Sequence, residues 1–132
     1  MVVQTKEQIV QQLKELYAKI PPFDCKCCGK CCGPIFWFLC EDWLIRDYMK
    51  EHNIQYLVWS REEYIKNKLL CPYFQNSSCI IYEVRPLICR LQGHHTKSLP
   101  CPNTKGTMSQ QTLDKIWREY AVLKNASREV KE

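Results

Sequence analysis

Five cysteines fall within eight positions in Phe23-Asp24-Cys25-Lys26-Cys27-Cys28-Gly29-Lys30-Cys31-Cys32. Cys40, Cys71, Cys79, Cys89 and Cys101 bring the total to ten. Thiolates are ligands for zinc and for iron-sulfur clusters, so the first question is which sulfurs can meet. Cys25, Cys28 and Cys31 have two residues in each interval, a spacing that lets three sulfurs converge from one tight loop. Two chemistries fit. A C-x2-C-x2-C run wraps three corners of a cubane cluster, and a distant cysteine beside proline completes such a set; Cys71-Pro72 and Cys101-Pro102 both offer one. Alternatively, Cys25-Lys26-Cys27-Cys28-Gly29 makes a knuckle turn whose glycine takes a positive φ and whose amides point at the sulfurs. That turn favours tetrahedral zinc or a single iron. Spacing leaves both open.

The downstream cysteines are separated by eight, ten and twelve positions, so only the fold can assemble them. With Cys32 beside Cys31, the eight candidate ligands are Cys25, Cys28, Cys31, Cys32, Cys71, Cys79, Cys89 and Cys101. Eight thiolates suffice for two four-ligand centres, or for one centre plus redox-active thiols. Cys27 breaks the two-residue spacing and Cys40 ends an apolar stretch; both are read as non-ligands. His94 and His95 follow Cys89 by five and six positions, within reach of a metal there, although a loop histidine is more often simply solvated. Arg85 and Arg90 flank Cys89, where they can donate to sulfur or pair with Glu83.

Ten cysteines in a short chain mean either a disulfide framework or a metal site, and the cell compartment decides between them. The start, Met1-Val2-Val3-Gln4-Thr5-Lys6-Glu7-Gln8, lacks a basic segment followed by an apolar one, and no apolar run is long enough to cross a bilayer. The expectation is therefore a cytoplasmic protein with reduced thiols and no membrane partner. The formal charge of +5 counts every thiol as neutral, and four thiolates on one zinc lower it by about 2. No basic run with interleaved aromatics points to nucleic acid. Nor is there a G-x-G-x-x-G, a P-loop, a G-x-S-x-G or an H-E-x-x-H motif.

The 132 residues suit a single domain over 1–132, and the 45% hydrophobic content includes the cysteines, so the carbon core is modest. Ile9, Val10, Leu13, Leu16, Tyr17 and Ile20 keep helical spacing, and Thr5 with Gln8 makes a capping box, which predicts a helix over about 5–20 ended by Pro21-Pro22. Ile35 to Leu39 reads as a buried extended run, and Glu41 to about His52 as a helix with acids in its first turn. Ser60 with Glu63 opens a short helix to about Lys68. Cys71-Pro72-Tyr73-Phe74 and Cys79-Ile80-Ile81-Tyr82 flank Gln75-Asn76-Ser77-Ser78, predicting a small hairpin with a cysteine opening each arm. Leu87 to Leu91 forms a turn or short helix, 93–106 a loop, and 109–124 an amphipathic helix before a frayed polar tail. The expected class is α+β, a mainly helical, irregular, metal-stapled domain with a short β-hairpin.

Two stretches together carry a family resemblance. Phe23 to Cys32 matches F-x-C-x-x-C-G-x-C-C, and Cys71-Pro72-Tyr73-Phe74 followed by Cys79 to Arg90 matches C-P-F/Y-x with C-x-I-Y-E-x-R-P-x-x-C-R. The chain resembles the CxxCxxCC cysteine-cluster proteins of the YkgJ family over about 23–101. The resemblance implies a cytoplasmic protein that chelates zinc or an iron-sulfur centre through Cys25, Cys28, Cys31, Cys32, Cys71, Cys79 and Cys89, with Cys101 as a further ligand. Members are described as iron-sulfur oxidoreductases or zinc-chelating proteins, and flagellin lysine methylases contain a similar cluster. The functions implied are metal binding with a protein partner or, alternatively, electron transfer or part of a protein-modifying system. Cys27 is extra to the family pattern.

Overall fold

Thr5 opens the first helix, α1 (Lys6–Ala18), and closes its capping box: the Thr5 hydroxyl accepts from the Gln8 amide while the Gln8 side chain accepts from the Thr5 amide. The computed structural model describes residues 3–21, 33, 37–94 and 108–130. Cys25, Cys27, Cys28, Cys31, Cys32, His95 and Cys101 lie outside them, as do Ile35 and Phe36 of the apolar run.

Helix α2 spans Leu39–Glu51, and α3 (Arg61–Lys66) carries the expected Ser60–Glu63 capping box. A two-stranded antiparallel hairpin follows, β1 (Phe74–Gln75) and β2 (Ser78–Cys79), with Phe74 opposite Cys79 and Gln75 opposite Ser78. Its loop is two residues rather than four, because Asn76 (φ 52°) and Ser77 (φ 61°) both adopt the left-handed conformation that matches the twist of the strands. The cysteines are correspondingly displaced: Cys71 lies in a turn before β1, and Cys79 ends the second arm instead of opening it. A 3-10 turn at Tyr82–Val84 leads to Pro86, which precedes the five-residue helix α4 (Leu87–Leu91). The closing helix α5 (Gln110–Arg128), capped by Ser109, runs a turn beyond the expected end. The tail continues as helix because Ser127 is buried, its hydroxyl donating to the Lys124 carbonyl at 2.7 Å and meeting the Cys40 thiol.

The fold is mainly helical α+β, and α2 is the wall between two cores. On one side, Ile9, Leu13 and Leu16 of α1 pack with Trp43 of α2, Leu87 and Leu91 of α4, and Leu113, Ile116, Tyr120 and Leu123 of α5. On the other, Ile45 and Met49 of α2 pack with Cys71, Tyr73, Ile81 and Val84 of the hairpin region. Leu44 touches both. Among the described residues, no helix is long and apolar enough to cross a membrane.

Candidate metal site and the buried carboxylate beside it

Cys71-Pro72-Tyr73-Phe74 folds as a tight turn, in which the Phe74 amide donates to the Cys71 carbonyl at 3.0 Å. The amides of Tyr73 and Phe74 also face the Cys71 sulfur, and Cys71 is only 7% exposed. Burial pushes this thiol up, and the two amides pull it part of the way back. Without a cation the sulfur therefore keeps its proton; with one, both amides stabilise the thiolate that the cation needs. This donor set fits a thiolate-bound metal. Amide-to-sulfur geometry was expected at Cys25 to Gly29, which lie outside the described residues; the described residues have it at Cys71.

Cys79, half-buried at the end of β2, packs against the same core as Cys71, and Cys89 is half-buried on α4. Among the described residues, no three His, Cys, Asp or Glu side chains are grouped to hold a metal. His94, expected as a solvated loop residue, is 4% exposed because the turn after α4 folds it inward. Its ring bonds the Pro21 carbonyl, at the point where the chain enters that loop. The Met108 amide donates to the His94 carbonyl at 2.8 Å. Cys40, in the first turn of α2, is fully buried, and burial, followed by the Glu41 charge, pushes its thiol up to about 11.

The arginines have a different role from the one their spacing suggests. Arg90 donates to the Arg85 carbonyl at 2.8 Å and to the Glu83 carbonyl at 2.7 Å, not to the Glu83 carboxylate, and stacks on the Tyr17 ring at 4.0 Å. Arg85 donates to the Tyr82 carbonyl at 2.8 Å and covers the Tyr82 ring at 3.7 Å. Both brace the 82–86 turn, and Arg90 ties it to α1.

The residue that sequence reasoning missed is Glu41. It is 1% exposed, and its carboxylate accepts from the Tyr17 hydroxyl of α1 at 2.5 Å, the Leu87 amide of α4 at 2.6 Å and the Tyr120 hydroxyl of α5. Burial pushes this carboxyl above the ordinary range, while the three donors and Arg90 oppose the shift. Tyr17 and Tyr120 are in turn pushed far up by burial and by the Glu41 charge. Expected only as an acid in the first turn of a helix from Glu41, Glu41 is turned inward because α2 starts at Leu39, with the Phe38 carbonyl accepting from the amides of Glu41 and Asp42. The available signal was register: Glu41 stands four residues before Ile45, on its buried face. Through this node α1, α4 (which carries Cys89) and α5 are fixed around α2.

Comparison with family models, with curated proteins and with solved structures finds no match to the chain.

Proposed function

We propose that this chain is a cytoplasmic protein of the YkgJ cysteine-cluster type that chelates zinc or an iron-sulfur centre through thiolates from both halves of its sequence. Cys71, Cys79 and Cys89 supply the second half, and the Cys25 to Cys32 loop, with Cys101, supplies the first and last ligands. The observation that supports the reading best is the Cys71 turn, where two backbone amides face one buried sulfur. Amide donors at a sulfur are of little use to a neutral thiol and of considerable use to a thiolate on a metal. His94 supports it too, since its ring is anchored beside the entrance to the cysteine loop. Metal binding and docking to a protein partner is the primary role, with electron transfer the alternative that an iron-sulfur centre would open.

Anaerobic purification followed by metal analysis and a visible spectrum tests this directly. A coloured, reversibly reducible protein identifies the iron-sulfur form, and a colourless protein with stoichiometric zinc identifies the other and removes electron transfer. Protein that retains neither metal under anaerobic conditions overturns the proposal.

A further inference from the structure

Beside the Cys71 turn lies a cavity of about 230 Å³, and its walls are aromatic: Trp37, Tyr56, Trp59, Tyr64 and Tyr73, with Cys71 among them. That volume is below the roughly 300 to 1,000 Å³ of sites for drug-sized ligands, so the occupant is a head group or a single side chain. The rings pack on one another around it, Trp37 edge-to-face with Tyr56 at 89° and tilted at 41° to Tyr73, and Trp59 edge-to-face with Tyr64 at 71°. Val58, also lining the cavity, is 81% exposed, which puts one wall at the solvent boundary.

The polar tips of three rings are already engaged. Trp37 Nε1 and the Tyr56 hydroxyl both donate to Asp42, at 2.9 and 3.1 Å, and the Tyr73 hydroxyl donates to the Leu57 carbonyl while accepting from the Leu57 amide at 2.7 Å. These three tips are therefore held within the protein, and what those rings turn to a ligand is ring surface. Among the described residues, no lysine or arginine lines the cavity. Among the described residues the chain places its own cations over Tyr17, Phe38, Trp43, Tyr56 and Tyr82, but over none of Trp37, Trp59, Tyr64 or Tyr73. Arg46 neutralises Asp42 at 2.6 Å and covers a face of Tyr56, so attraction for a ligand comes from the remaining ring faces. A ring face carries negative charge density and favours a cation with no N–H to satisfy.

We propose that this cavity is an aromatic cage for a small organic cation of the quaternary ammonium class. It is independent of the metal-binding proposal, because the cage is built by rings and needs no ion on Cys71.

The purified full chain is titrated with choline and, separately, with dimethylbutanol, the uncharged isostere that has carbon in place of the quaternary nitrogen. Tryptophan fluorescence and indole NMR shifts are followed, with metal content measured on each sample. The expected result is saturable binding of choline, about tenfold tighter than that of the isostere. Trp59→Ala should weaken choline by at least about tenfold, and Trp59→Phe should restore part of the loss. Equal binding of the two compounds, no binding of choline to metal-loaded protein, or unchanged choline affinity in folded Trp59→Ala would each overturn the cage. A metal-free sample that still prefers choline would sink the metal proposal and leave this one standing.

Discussion

At the scale of single residues, Glu41 is the most consequential side chain in the described structure, because one carboxylate accepts from three elements. Glu41→Ala leaves two hydroxyls and an amide unsatisfied, so a loss of about 3 kcal/mol or more is expected in urea denaturation. Glu41→Gln keeps the shape and removes the charge. Because the folded pKa is raised above the ordinary 4.5, the folded state holds this proton more tightly than the unfolded one. Stability from this group is therefore full below about 4.5 and falls as pH rises through the folded value. Glu41→Gln should flatten that fall, seen as a reduced pH slope of the denaturation midpoint. A slope unchanged from the parent would mean that Glu41 does not titrate in the folded protein. Among the cysteines, serine at Cys28, Cys31 or Cys71 should lower bound metal and thermal stability together, whereas serine at Cys27 or alanine at Cys40 should leave metal content intact. Equal metal loss at Cys27 and Cys28 would reverse the assignment in the first loop.

Among the elements, the hairpin and α5 show what local sequence does and does not decide. Asn76-Ser77 is a two-residue turn with positive φ at both positions, a conformation that costs a residue with a Cβ on the order of 1 kcal/mol. Ser77→Gly should stabilise the protein by up to about that amount in thermal unfolding, while Ser77→Val should destabilise it. The capping boxes at Thr5 and Ser60 are legible because they are contacts between residues three apart, satisfied within one turn of backbone. The end of α5 was not legible. Ala126 to Arg128 resembles a frayed tail until Ser127 meets Cys40 and the Lys124 carbonyl, partners that only packing supplies.

For the whole molecule, two cores share α2, and under the proposed metal binding this division predicts how the protein would respond to a chelator. The first core joins α1, α2, α4 and α5 without any candidate ligand in its buried set, whereas the second contains Cys71, with Cys79 packed against it. Chelation should therefore lower amide protection chiefly in Cys71 to Val84 and leave α1 and α5 close to the holo values, as read by hydrogen exchange. Uniform loss across both regions would show that the metal holds the entire fold rather than its hairpin side.

The main runs of the helices, their capping boxes and the presence of a hairpin were written in the order of residues, because each depends on periodicity or on neighbours a few positions apart. Three features were decided only by tertiary structure: the three partners that meet the Glu41 carboxylate, the burial of His94 against Pro21, and the meeting of five aromatic rings around one cavity. Each joins residues from separate elements, and nothing in a local pattern encodes which faces of those elements will close on one another.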